Sequence, residues 1–328
     1  VQPAPPLQAT PIPVAVDIGN HQLKVAQGDR IRTIDSLYAE VLHRSQVSEL
    51  DDHSALVKYL QGDCFELIGK QWIVGHDAQT YFPDTFQSAI DTPNNRGKVD
   101  LGLQLLLGFI TPPPVGDTVV IPYLFASLPD VEVLGNAFVQ TIQGTHTIEQ
   151  TTAQSTMTFT IAIKQVILKE EGQGAIAYAL SKGICERGMW NATIDFGGGT
   201  TITQTYNERG QIVPSSRLVQ PRGVSHLISA IASDERFRLH LGKYADPALV
   251  LEGVRDGQFK YGGQGFDFRE IYEDHHRAWL PSVARPAIKK LTTLQDRLKT
   301  IVLIGGGANL AKSLVRDSGW CSAIARMR

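Results

Sequence analysis

Cysteine is scarce in this sequence: three in 328 residues, Cys64, Cys185 and Cys321, widely separated and odd in number. That excludes a disulfide framework and a cysteine-built zinc site, and it fits reduced thiols in a cytoplasmic protein. An excess of one charge is also missing. Lys and Arg total 31 against 33 Asp and Glu, a formal net charge of -2, so no global basic field exists to bind nucleic acid directly. Apolar runs all fall short of the ~20 residues of a membrane-spanning helix. The opening VQPAPPLQATP has no basic or apolar leader segment, and its prolines predict a short extended tail over residues 1–12. The pattern G-x-x-x-x-G-K-[ST] is absent too, which argues against a P-loop nucleotide site. What is present is 42% apolar and 20% charged residues, enough for a large core and a length suited to about two domains.

The stretch NATIDFGGGTTITQTYNERGQIV, residues 191–213, sets one acid and three glycines between two β-branched runs. Glycine weakens a strand unless another backbone or a ligand must come close, or a turn needs positive φ. A similar device occurs earlier, in IPVAVDIGNHQLKVAQGDRIRTID. There Val14, Val16 and Ile18 read as one strand, Leu23 and Val25 as a second, and Gly28-Asp29 turns into a third. Asp17-x-Gly19 and Asp195-x-Gly197 thus occupy the first turns of two meanders about half the chain apart, a pattern that favours two related halves.

Between and beyond them the pattern is a coarse α/β series. DCFELIGKQWIVGHDA predicts paired strands ending at Gly75, DLGLQLLLGFI a buried helix, and DTVVIPYLFASLP a central strand ended by proline. TMTFTIAIKQVILKEE reads as a further β segment, and GAIAYALSKGI as a helix just after Glu170-Glu171. GVSHLISAIASDERF, DPALVLEGVRDG and the segment from Ile271 to Thr300 read as helices, the last kinked or divided at Pro281 and Pro286. Ile301 to Ile304 then runs into Gly305-Gly306-Gly307, with ANLAKSL resuming as helix. His275-His276 has no metal-like partner and reads as a solvated helix face. Asn191-Ala192-Thr193 fits a glycosylation sequon but enters a core strand.

Taken in order, Asp17-x-Gly19 with Lys24, Glu170 before an Ala-rich helix, IDFGGGT and IVLIGGG resemble the two phosphate motifs, connecting helix and adenosine motif of the actin-like ATPase superfamily. WIVGHDAQ, VVIPYLFASLP and QVILKEEGQGAIAYAL are most similar to the ParM/StbA-type bacterial and archaeal actin-like proteins. The resemblance spans most of the chain. It implies an α/β, actin-like two-lobed fold, each lobe a mixed five-stranded sheet flanked by helices, with the nucleotide in the interlobe cleft. The lobes would be residues 13–185, with the first phosphate motif, and 186–328, with the second phosphate and adenosine motifs.

The chemistry of a triphosphate needs close backbone donors, a divalent cation and positive charge. The resemblance assigns Gly19, Asn20 and His21 to one side of the phosphates, and Gly197, Gly198, Gly199 and Thr200 to the other. Lys24 takes the place of the phosphate-contacting lysine; a solvated strand lysine is the plainer alternative. Asp17 and Asp195 become holders of hydrated Mg²⁺, which retains waters and needs only a carboxylate or two. Either aspartate could instead serve its own turn. Glu170 is the candidate to orient the attacking water, with Glu171 as its alternate and Asp195 as a further catalytic group. Gly305, Gly306 and Gly307 would pass near ribose and adenine, Gly223 would form another cleft turn, and Glu252 and Arg255 would supply base or ribose contacts.

The expected function is ATP binding and hydrolysis to ADP with Mg²⁺, coupled to head-to-tail filaments of the chain itself. The commonest use of such filaments is segregation of plasmid or other DNA cargo through a DNA-binding adaptor, with no membrane partner and in the cytoplasm. Two alternatives stay open: an ATP-dependent regulator or scaffold that does not polymerise, and a small-molecule kinase of the same superfamily. ParM-like chains usually continue beyond the adenosine-motif helix to return to the first lobe. This sequence stops at SGWCSAIARMR, so an incomplete return, and weakened polymerisation, is a further expectation.

Overall fold

The computed structural model describes residues 11–19, 22–89, 96–114, 116–314 and 322–324. The chain forms two compact units, Val1–Glu171 and Gly172–Arg328.

The N-terminal unit begins with the meander β1 (Val14–Ile18), β2 (Gln22–Gln27) and β3 (Arg30–Asp35), followed by β4 (Leu37–Glu40), β5 (Ser54–Gly62) and β6 (Gln71–Gly75). After α1 (His76–Tyr81) and β7 (Gln87–Ser88) come α2 (Gly97–Asp100) and α3 (Gly102–Phe109). The unit closes with β8 (Thr118–Ile121), β9 (Leu124–Leu128), α4 (Val131–Ile142), β10 (Gly144–Thr151), β11 (Thr156–Ile163) and β12 (Val166–Glu170). Two sheets result, one of five strands in the order β12-β9-β1-β2-β3 and one of seven in the order β7-β4-β6-β5-β10-β11-β8. The larger sheet has no counterpart among the sequence expectations.

Helix α3 packs against β2 of the smaller sheet and against β5 and β6 of the larger. It is therefore apolar on nearly every side, Gln104 apart: Leu103, Leu105, Leu106, Leu107 and Phe109 are fully buried. At ~1.5–3 kcal/mol for each large side chain removed from water, this helix is a main source of the unit's cohesion.

The stretch expected to be one central strand is two. Pro122 has no N–H to donate to a ladder, so the chain leaves the seven-stranded sheet after β8 and joins the five-stranded sheet as β9. Strands β11 and β12 make the same passage alongside, parallel to β8 and β9 respectively.

The C-terminal unit starts with α5 (Gln173–Ser181), whose Ala175, Ile176 and Ala179 pack with Tyr206, Val302 and Ile304. A second meander follows, β13 (Trp190–Phe196), β14 (Thr201–Tyr206) and β15 (Leu218–Gln220). Then come α6 (Val224–Ala232), α7 (Glu235–Leu241), α8 (Pro247–Arg255), the small hairpin β16 (Lys260–Tyr261) and β17 (Phe266–Asp267), and α9 (Arg269–Thr292). Strands β18 (Leu298–Ile304) and β19 (Ser322–Ile324) complete a sheet in the order β15-β14-β13-β18-β19.

Two sequence expectations are corrected in this unit, the division of the last long helix and the solvated histidine pair. Helix α9 runs undivided through Pro281 and Pro286 and ends at Thr292. Burial of Trp279, Leu280, Val283, Ala284, Ala287 and Leu291 holds it together where local propensity alone would break it. ANLAKSL opens with a short 3₁₀ turn, Ala308–Ala311, and is α-helical at Ser313 and Leu314, the last residues described before 322. His275 and His276 are half-buried: His275 meets the Asp234 carboxylate at 2.9 Å, and His276 Nε2 lies 2.7 Å from the Leu310 carbonyl oxygen.

Candidate functional site

The two Asp-x-Gly turns are built alike. Gly19 donates its N–H to the Gln22 carbonyl, and Gly197 donates to the Thr200 carbonyl, both at 2.9 Å. A Cβ at Gly19 would stand 2.7 Å from the Gln22 oxygen, and one at Gly197 would stand 2.9 Å from that of Thr200. Close approach of a carbonyl, not a positive φ, therefore requires glycine at both places. Asn20 and His21 lie outside the described residues.

In the N-terminal unit, Asp17 pairs directly with Lys24 across β1 and β2, so their side chains leave the same face of the sheet. No ion pair within 4 Å joins them among the described residues. The Asp17 Oδ1 instead accepts a 2.7 Å hydrogen bond from the Ser127 hydroxyl on β9. Glu170 ends β12, and its Oε1 accepts the Val131 N–H at 3.0 Å, at the first residue of α4. A carboxylate there satisfies an orphan amide and meets the positive end of the helix. Glu171, the alternate, is paired with Lys98 of α2 at 2.5 Å, with side-chain exposures of 18% and 7%.

The C-terminal unit uses backbone more than side chains. The amides at the start of α6 bond back to the glycine loop: Gly223 N–H to the Gly199 carbonyl at 3.1 Å, Val224 to Gly197 at 3.0 Å and Ser225 to Gly198 at 2.9 Å. The Ser225 hydroxyl also donates to Gly198. In a trans peptide the N–H points opposite to the C=O of the same unit. Three carbonyls turned toward α6 therefore turn the amides of Gly198, Gly199 and Thr200 away from it. Successive backbone amides left facing one side of a turn are the element from which anion-binding nests are built. Gly223 is essential to this arrangement, because a Cβ there would lie 2.1 Å from the Gly198 carbonyl oxygen.

The third glycine turn locks onto the same place. Gly305 has φ +88, and its missing Cβ would lie 2.2 Å from Asp195 Oδ1 and 2.6 Å from the Phe196 carbonyl oxygen. The Gly307 N–H donates to that carbonyl at 2.9 Å. A Cβ on Gly306, by contrast, would meet nothing within 4 Å. The Asp195-x-Gly197 turn and the Gly305–Gly307 turn are thus joined through Asp195 and Phe196, with Val224 at the start of α6 packed against Gly307. Glu252 and Arg255 stand exposed on α8, and no hydrogen bond among the described residues ties them to these turns.

Sequence reasoning missed Ser127, Ser225 and Lys98. Ser127 lies in a plain strand 110 residues from its partner, so nothing local marks it. Ser225 had a signal, the third position of the GVS stretch that opens α6 next to a glycine loop. No group of three or more His, Cys, Asp or Glu side chains among the described residues is arranged to hold a metal by itself. No helix among the described residues is long and apolar enough to cross a membrane.

The family profile for the N-terminal domain of actin-like proteins matches residues 15–174, and the C-terminal profile of archaeal MreB-like actin homologues matches residues 193–317. No curated protein matches the chain. Among solved structures, the archaeal actin homolog Ta0583 is 16% identical with a TM-score of 0.75, over 96% of this chain and 94% of that one. The complex of that homolog with ADP is 17% identical, with a TM-score of 0.70 over the same shares of the two chains. A 15-stranded ParM filament from Clostridium botulinum is 15% identical, with a TM-score of 0.73 over 96% of this chain and 95% of that one. Identity at this level speaks to the fold, and the two profiles, one in each unit, agree with it: the chain belongs to the actin-like proteins.

Proposed function

We propose that the chain binds and hydrolyses ATP with Mg²⁺ and assembles, in a nucleotide-dependent way, into head-to-tail filaments. The observation that carries the reading is the orientation of the Gly198, Gly199 and Thr200 amides by the start of α6. Three preset donors have no structural purpose in a plain hairpin turn, and they suit phosphate oxygens. Gly306, where an added Cβ would meet nothing, suits close passage of a nucleoside.

In this reading Asp17 and Asp195 hold the hydrated Mg²⁺, Lys24 meets the phosphates, and Gly19 with Asn20 and His21 completes the first phosphate turn. Gly305 to Gly307, Gly223, Glu252 and Arg255 serve the nucleotide in the C-terminal unit. Mg²⁺ neutralises phosphate charge when bound. The protein's own part is to fix the phosphates and to orient a water through Glu170, held by one oxygen at the start of α4. Exchange of ATP for ADP shifts assembly only as far as the two nucleotides differ in affinity for the assembling form. Head-to-tail contacts are heterologous and propagate when they do not close. The resemblance to a ParM filament favours such assembly, with plasmid or DNA-cargo segregation in the cytoplasm through a DNA-binding adaptor as its use.

Phosphate release measured beside sedimentation, with ATP, with ADP and without nucleotide, tests this. ATP hydrolysis with ATP-dependent polymers is the expected result. ATP-responsive complexes with other proteins and no polymer would favour a regulator or scaffold, and phosphorylation of an added metabolite would favour a kinase.

A further inference from the structure

The outward face of the five-stranded sheet in the N-terminal unit carries a short polar row. Along β9, Ser127 lies between buried Ala126 and Leu128; along β1, Asp17 lies between buried Val16 and Ile18; along β2, Lys24 lies between buried Leu23 and Val25. Alternation puts all three side chains opposite the core. Lys169, in register with Ser127 on β12, extends the row.

Within it, Asp17 makes one hydrogen bond among the described residues, from the Ser127 hydroxyl to Oδ1 at 2.7 Å. Between a hydroxyl and a carboxylate the hydroxyl donates, and such bonds are short and strong. Asp195 is oriented differently, against the backbone of Gly305. Without Ser127 the Asp17 side chain would be free to turn about χ1 toward Lys24 or solvent.

We propose that Ser127 is a positioning residue for the cation: it holds Asp17 by one oxygen and leaves the other for hydrated Mg²⁺. The assignment rests on the nucleotide reading above. A partner that orients a metal-binding carboxylate typically changes metal affinity by ~10–100-fold. The class of ligand is a hydrated divalent cation carried with a nucleoside triphosphate.

Calorimetric titration of ATP at a series of Mg²⁺ concentrations, and again in EDTA, tests it on Ser127→Ala and Ser127→Thr. For Ser127→Ala the Mg²⁺ concentration giving half-maximal ATP affinity should rise about tenfold. Its ATP affinity in EDTA and its melting temperature without ligands should stay at wild-type values. Ser127→Thr, which keeps the hydroxyl, should restore the Mg²⁺ dependence. A wild-type Mg²⁺ dependence in Ser127→Ala, or a threonine variant as impaired as the alanine one, overturns the assignment and leaves the nucleotide reading intact. A wild-type chain with no Mg²⁺-dependent ATP binding overturns both.

Discussion

The five-stranded sheets of the two units share one plan and surround their Asp-x-Gly turns with different materials. Read from the meander outward, β3-β2-β1-β9-β12 and β15-β14-β13-β18-β19 have the same order, the first three strands antiparallel and the last two joining in parallel. Each puts an aspartate and a glycine at the turn after its first strand. In the N-terminal unit the acids are held by side chains and a helix start: Asp17 by Ser127, Glu170 by the α4 amide, Glu171 by Lys98. In the C-terminal unit the described contacts are with glycine and backbone: the Asp195 carboxylate occupies the space that a Gly305 side chain would need, and the loop carbonyls are tied to α6. One frame therefore supports two kinds of site. Removable polar contacts make one side tunable by single hydroxyls and charges, and close backbone packing makes the other intolerant of a single methyl.

The comparison can be broken first at Lys98. Lys98→Met strands the Glu171 carboxylate, and loss of one partner of a buried pair costs about 3–5 kcal/mol. Chemical denaturation should show that loss, and Lys98→Met with Glu171→Leu should recover most of it. Recovery failing would mean that the lysine stem, and not the charge pair, supports the unit. Gly305→Ala is the counterpart in the other unit. Left-handed backbone and overlap with Asp195 and Phe196 together should cost about 3 kcal/mol. Gly306→Ala next to it should stay within about 0.5 kcal/mol of wild type while weakening ATP binding. Equal stability of the two variants would contradict the packing described for Gly305.

Glu170→Gln should keep ATP binding and slow phosphate release by ~10²-fold, the scale of lost acid–base assistance. Unchanged release removes Glu170 from the role, and a loss confined to Glu171→Gln transfers it to the neighbour. A modest effect, away from the glycine turns, concerns Asp234, which caps α7. Hydrogen bonds from Arg236 above all, and from His275, hold its carboxyl well below the usual carboxylate range. A depressed carboxyl stabilises above its unfolded pKa, and the benefit is lost as pH falls through the folded value. Asp234→Asn should therefore cost about 1 kcal/mol at pH 7 and progressively less on acidification below the ordinary carboxylate range of ~4. A cost that does not shrink with acid would assign the effect to the cap alone.

The local structure of the candidate site's turns was legible because its signals are local. Alternating apolar residues around Asp17 and Asp195, followed by glycine, specify hairpins with an acid at the turn. The run of four apolar residues before Gly305 specifies a buried strand ending in a close approach. What stayed hidden depends on pairing at long range. The Ser127 bond spans 110 residues, and the seven-stranded sheet is assembled from β segments that look ordinary one by one. Pro122 was readable as a breaker, yet only the pairing of β8 with β11 and β9 with β12 shows that the chain changes sheets there. Pro281 and Pro286 misled for the opposite reason, since packing along α9 outweighs a local penalty of about 3 kcal/mol per proline.

Titration calorimetry of Mg-ATP on wild type, Asp17→Ala and Asp195→Ala asks whether both turns serve one nucleotide. One ATP per chain, with affinity reduced about tenfold or more by either substitution and folding intact in both, is the predicted result. Wild-type affinity in either variant, or two independent ATP equivalents per chain, would contradict it.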